Sequence, residues 1–110
     1  MTAVVRVDAG VCGFHTVARA QTEDSQHVCF NIETDCEKIE ALGRRLQETG
    51  VIDAYQEISP ATESALLALT REALPGCCAG CAVPVALFKA MQVAAGLALP
   101  RDIQIILSKE

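Results

Sequence analysis

The sequence predicts an α+β fold: an antiparallel sheet of three to four strands covered on one face by three helices, in the order β-β-β-α-α-α-β. Three observations predict it. The first third of the chain alternates apolar and polar residues in short runs separated by Gly-bearing or polar turns. The middle carries apolar residues at helical spacing, punctuated by Gly50 and Pro75-Gly76. A short apolar alternation then returns after Pro100.

Residues 3–8 (AVVRVD) and 14–21 (FHTVARAQ) are rich in Val, Thr and Phe and are joined by Ala9-Gly10-Val11-Cys12-Gly13, which gives two strands and a tight connection. After the polar turn Thr22-Glu23-Asp24-Ser25, Val28, Phe30 and Ile32 alternate with His27, Cys29, Asn31 and Glu33, a third strand with one apolar face. Thr34-Asp35-Cys36-Glu37 has the T-x-x-E form of a capping box, and Ile39, Leu42 and Leu46 supply a helical face that Gly50 ends. The spacing predicts a helix from Asp35 to Thr49. Val51 to Ile58 is too short to assign, although Val51, Tyr55 and Ile58 suit a helical turn. Ser59-Pro60 reads as an N-cap followed by Pro at the first helical position, with Leu66, Leu69 and Ala73 forming a face until Pro75-Gly76. A third helix starts near Cys81 to Pro84; it is apolar nearly all round and is expected to lie across the sheet. Its apolar run, Ala82 to Leu99, contains Pro84, Lys89 and Gly96 and falls short of the roughly 20 clean residues a membrane span needs. Ile103, Ile105 and Leu107 alternating with Gln104, Ile106 and Ser108 predict a last strand, Asp102 to Ser108, that rejoins the sheet.

At 110 residues and 51% hydrophobic, the chain is expected to form a single domain over 1–110 with a core that needs neither disulfide nor metal. A net charge of -5 works against a phosphate backbone or an anionic membrane, so neither nucleic acid nor membrane is an expected partner. The opening MTAVVRVDAG has no basic segment and no long apolar segment of an export signal, which predicts a cytoplasmic protein with reduced thiols. There is no Gly-rich phosphate loop, no H-E-x-x-H and no G-x-S-x-G, so the six cysteines carry the chemical interest.

Cys12 stands beside Gly13 in the first hairpin connection, Cys36 in the first turn of the first long helix, and Cys77-Cys78-Ala79-Gly80-Cys81 before the last helix. Helix N-termini present unpaired N–H groups that favour thiolate, the form that binds metal and acts as nucleophile. If strands two and three form a hairpin, the Cys12 connection and the Thr34 to Cys36 strand end lie at one end of the sheet, and the last helix needs only to start there for three or four thiols to converge. Cys78 is the natural fourth member, through Cys78-x-x-Cys81. Cys29 reads as a half-buried strand residue, Cys77 as a spare thiol able to resolve a disulfide, His15 as a histidine near Cys12 in sequence, and Asp35 as an N-cap.

The Cys-Gly of AGVCGF, the Cys of TDCEKI at the strand-helix junction and the Cys of CAVPVALFKAM opening a late Ala-rich helix resemble the layout of IscU/NifU-type iron–sulfur scaffolds. That resemblance implies an iron–sulfur cluster on Cys12, Cys36 and Cys81 and a protein partner in cluster or sulfur transfer. Phe14 stands where such scaffolds carry an acidic residue, Leu74-Pro75-Gly76 replaces their Pro-Pro-Val-Lys segment, and the final strand is additional. Over nearly the whole chain, AGVCGF, DCEKI and AVPVALFKAMQVAAGLALPRDI look like a family of short prokaryotic proteins, found largely in anaerobes, that has no established activity.

Three functions are therefore expected, in this order. The first is a scaffold, carrier or sensor holding an iron–sulfur cluster or zinc on Cys12, Cys36, Cys78 and Cys81. The second is a sulfur relay or disulfide exchange through a low-pKa thiolate such as Cys36 or Cys81. The third is an interaction domain in which the apolar helix and a spare strand edge make a homo-oligomer.

Overall fold

The computed structural model describes residues 1–59, 61 and 63–110. Strands β1 (Thr2–Asp8), β2 (His15–Thr22) and β3 (His27–Thr34) form an antiparallel meander, and a two-residue β4 (Ile52–Asp53) adds to the far side of β3, giving the order β1-β2-β3-β4. The helices are α1 (Glu37–Thr49), α2 (Ala54–Glu57), α3 (Ala65–Ala73) and α4 (Val83–Ala94), with a 3₁₀ turn over Gly76–Gly80. The fold is α+β, as the alternating and helical periods require.

Side-chain alternation decides which face of the sheet is covered. Ala3 of β1, Ala18 and Ala20 of β2, and Val28 and Phe30 of β3 are buried, and their strand neighbours face outward. α4 packs on β1 and β2, α1 packs on β3, and α3 lies against both helices. α1 contributes Ile39, Leu42 and Leu46; α4 contributes Val83, Leu87, Ala90, Met91 and Ala94. A core this poor in aromatics is assembled from aliphatic side chains, each contributing about 1.5–3 kcal/mol on full burial. The helical run Gly76–Ala94 has 19 residues and the length and apolarity to cross a membrane. Here its α4 part is the central packing element, as its all-round apolar composition predicts.

Five expectations are corrected. The last strand does not form: residues 101–110 are all exposed and outside any sheet. Gly96, at φ 76°, ends α4 with its N–H bonded to the Val93 carbonyl and the Leu97 N–H bonded to the Gln92 carbonyl, and Pro100 follows. This exit carries the segment off the body, and alternation specifies a strand-forming segment without supplying its partner. The capping box also fails. Thr34 Oγ1 donates to the His15 carbonyl at 3.2 Å, lies 2.8 Å from Thr16 Oγ1 and accepts from the Cys36 N–H at 3.1 Å, a group that precedes the helix; the helix itself starts later, with Cys36 as an N-cap that makes no side-chain bond. Asp35 is likewise no N-cap; its Oδ1 accepts from the His15 N–H at 2.7 Å and pins the start of β2 to the end of β3.

The N-cap expected at Ser59-Pro60 is at Ser64 instead, whose Oγ accepts from the Leu67 N–H at 3.0 Å; Pro60 itself lies outside the described residues. The segment Val51 to Ile58 resolves into β4 and α2, because Asp53 ends the short strand and its Oδ1 accepts from the Tyr55 and Gln56 N–H groups. Cys29 is exposed rather than half-buried, 3.7 Å from the Gln21 carbonyl.

Candidate thiol site

The site is built where the first turn of α1 meets the 3₁₀ turn. α3 runs along α1, with Arg45 and Glu72 bridging the two at 2.9 Å. Leu74, 3% exposed, anchors the end of α3, and Gly76 at φ 67° opens the tight turn that follows. The turn carries Cys77, exposed, and Cys78, half-buried; the Cys81 N–H closes it on the Cys78 carbonyl at 3.1 Å. Cys36, Cys78 and Cys81 all pack against the hydrophobic core.

The link between the two turns is Lys38, whose Nζ donates to the Cys78 Sγ at 3.3 Å. Accepting this bond, Cys78 holds the Lys38 ammonium above its ordinary value of 10.5; the charge of Cys78 and, more weakly, those of Cys77 and Cys36 act in the same direction, against desolvation. One cation thus lies within electrostatic reach of three thiols. The nearest of them, the Cys78 sulfur, is in direct contact with the ammonium.

The remaining sequence-predicted residues are placed as follows. Cys12 is exposed on the β1–β2 connection, where Gly10 and Gly13 both have positive φ and the Gly13 N–H bonds to the Gly10 carbonyl at 2.9 Å. The pairings Asp8↔His15 and Thr16↔Thr34 put that connection at the same end of the sheet as Cys36. Sharing an end is not convergence: among the described residues, no three of His, Cys, Asp and Glu are grouped so as to hold a metal ion.

Neither histidine joins the thiols. His15 Nδ1 is in close contact with Asp8 Oδ1, both exposed. His27 lies at the opposite end, with Nδ1 2.7 Å from Asp24 Oδ2 and Nε2 3.9 Å from Asp53 Oδ2. The Asp24 hydrogen bond, opposed by desolvation and helped by the charges of Asp24 and Asp53, raises the His27 pKa. Asp24 is held well below the usual carboxylate range, first by the His27 side chain and then by the N–H groups of His27 and Gln26.

The residue sequence reasoning missed is Lys38. It stands two places after Cys36 in the first turn of a helix, a visible signal, but its contact with Cys78 spans forty positions and no local pattern announces it.

Over residues 3–107 the sequence matches a family of unknown function, DUF6951. The chain belongs to that family. The match takes in all four helices, the thiol site and most of the exposed C-terminal segment. No curated protein and no solved structure matches the chain.

Proposed function

We propose that this DUF6951 protein works through the Cys78 thiol, in disulfide exchange or sulfur relay, with Lys38 as the cation held against its sulfur. The observation that carries the reading is the 3.3 Å contact from Lys38 Nζ to Cys78 Sγ, on a sulfur that is only half-buried and so within reach of a substrate. In exchange, the Cys78 thiolate attacks one sulfur of a substrate disulfide; the new S–S bond forms as the old one breaks, and the leaving thiolate takes up a proton from solvent. Cys81, as thiolate, then attacks the Cys78 sulfur and releases the second substrate thiol. Two protein thiols are oxidised to one disulfide and one substrate disulfide is reduced to two thiols. The substrate is a disulfide or persulfide of a small thiol or of a partner protein, in a cytoplasm that keeps the resting thiols reduced.

The second reading is an iron–sulfur cluster or zinc on Cys12, Cys36, Cys78 and Cys81, in the manner of the IscU/NifU-type scaffolds. Its support is that Cys36, Cys78 and Cys81 abut one core, with Cys12 on a loop at the same end. It requires that loop to close on the other three.

One experiment separates the two. Protein purified without oxygen is analysed for metal and acid-labile sulfide and then treated with limiting glutathione disulfide, with each cysteine followed by peptide mass spectrometry. The expected result is no stoichiometric metal, Cys78 modified first, and a Cys78–Cys81 disulfide as product. Equal modification of all six cysteines overturns the thiol reading. Stoichiometric iron with sulfide, or zinc, lost in a Cys12→Ala, Cys36→Ala and Cys81→Ala triple variant, replaces it with the second.

A further inference from the structure

Strand β1 is an open edge of the sheet along its whole length, and its hydrogen-bonding pattern shows which main-chain groups face outward. The Met1 ammonium and carbonyl both bond to Thr22, at 2.7 and 3.0 Å, and at the other end the Ala9 N–H bonds to the Phe14 carbonyl at 3.1 Å. In this register the odd-numbered residues Ala3, Val5 and Val7 turn their N–H and C=O groups toward β2. Thr2, Val4, Arg6 and Asp8 therefore turn theirs to the open edge, and no neighbouring strand among the described residues takes them. The side chains show the same incompleteness. Val5 and Val7 point to the helix-covered face but are only partly buried, and Val4, on the other face, is 47% exposed.

The chain also carries a strand without a sheet. Ile103, Ile105, Ile106 and Leu107 are 51%, 67%, 81% and 90% exposed, a run of β-branched and aliphatic residues standing off the body. The family match extends from Ala3 to Leu107, so edge strand and arm both belong to what the family shares.

We infer that the C-terminal arm Ile103–Leu107 adds as a strand to the β1 edge of a second copy of this chain, in a reciprocal two-fold exchange. Each copy offers the β1 edge and one unpaired strand, so a closed dimer completes both at once. Alternation gives the arm two faces. Ile103, Ile105 and Leu107 would extend the covered face and complete the burial of Val5 and Val7, while Ile106 would lie beside Val4. Pro100 fixes its own φ and removes a donor where the arm begins, at a tight turn that the Arg101 N–H closes on the Leu99 carbonyl at 3.0 Å. The inference is independent of the thiol reading.

The test uses the full chain under reducing conditions, with an arm variant, Ile105→Asp with Leu107→Asp, and an edge variant, Arg6→Pro, which removes one outward N–H and leaves the bonds to β2 in place. Sedimentation at about 100 μM is expected to give a dimer for the unaltered chain and monomers for both variants, with unchanged helix content by circular dichroism. Mixing the variants restores one of the two arm–edge contacts and is expected to produce a weaker dimer. In the unaltered dimer the Val4 and Arg6 amides should exchange with deuterium at least about tenfold more slowly than in the arm variant. A monomer for the unaltered chain overturns the inference, even with those amides protected, because the arm then folds back on its own sheet. A dimer that persists in the arm variant also overturns it. An arm variant that is monomeric beside a folded edge variant that still dimerises rejects β1 as the docking edge. Residues 101–110 are exposed and lie outside every helix and strand, so the arm variant remains informative if Arg6→Pro fails to fold.

Discussion

Lys38 and Cys78 lie forty residues apart in the chain and 3.3 Å apart at Nζ and Sγ. The contact exists because α3 returns along α1 and the 3₁₀ turn at Gly76–Gly80 is delivered to the first turn of α1. A thiol at a helix start gains a diffuse positive potential; a thiol accepting a bond from an ammonium gains a localised one, and that singles out Cys78 among six cysteines.

Removing the ammonium should therefore slow Cys78 and no other cysteine by a comparable factor. Lys38→Met is expected to reduce the rate of iodoacetamide alkylation at Cys78, measured peptide by peptide near neutral pH, by about three- to tenfold. Lys38→Arg retains a cation and should stay within about twofold of the unaltered protein. An unchanged rate in Lys38→Met would show that the contact does not activate the sulfur.

Glu57 closes the other junction. It is 8% exposed, and its carboxylate accepts from Ser64 Oγ at 2.9 Å, the Ala65 N–H at 2.8 Å and the Leu66 N–H at 2.6 Å, which holds α2 to the start of α3. Glu57→Ala leaves two helix N–H groups without that acceptor and is expected to cost about 2–4 kcal/mol in urea unfolding. Ser64→Ala should cost about 1 kcal/mol. Because Ser64 also donates to Glu57, the double variant should lose less than the sum of the two.

The difference between what was legible and what was not follows the range of the interaction. β1 to β3 are visible because each is a period-2 segment bounded by its own turn, and α1, α3 and α4 because their faces repeat locally. Cys36 and Cys81 are rightly expected at helix starts for the same reason. Glu57 was invisible as a cap because its partners are seven to nine residues on, across a segment with no periodicity. The failure of the last strand is the converse case: Ile103 to Leu107 have the composition of a strand, and composition does not say whose edge receives it. The Lys38–Cys78 contact depends on how two helices pack, which no window of sequence contains.

Gly43 gives a test of the α1–sheet packing. It sits inside α1, where a glycine costs about 1 kcal/mol relative to alanine, and a Cβ there would meet Ile32 Cβ at 3.4 Å, an ordinary van der Waals distance. Gly43→Ala should raise stability by about 0.5–1 kcal/mol. Gly43→Leu should lower it by about 1–3 kcal/mol, because the larger side chain must displace Ile32. Thermal melts of the two variants, moving in opposite directions, would establish the fit of α1 on β3.

The Asp24–His27 pair at the β2–β3 turn sets a pH window. Asp24 is held below its ordinary 3.8, so its contribution is fully present above that pH and is lost as pH falls through the lowered folded value. His27 is held above its ordinary 6.5, so its contribution is fully present below that pH and is lost as pH rises through the raised folded value. Both hold together only between about pH 4 and 6.5. Asp24→Asn keeps an oxygen that accepts from the Gln26 and His27 N–H groups but removes the charge facing His27, so it separates the ionic contribution from the turn itself. The expected outcome is a difference in Tm between the unaltered chain and Asp24→Asn that is largest inside that window and shrinks on either side. A difference that stays constant from pH 3 to 9 would mean that the turn geometry, and not the charge pair, is what Asp24 contributes. The His27 ring should titrate at lower pH in the variant, although Asp53, with Oδ2 3.9 Å from His27 Nε2, still favours the imidazolium. Proton NMR of the ring reads that shift directly.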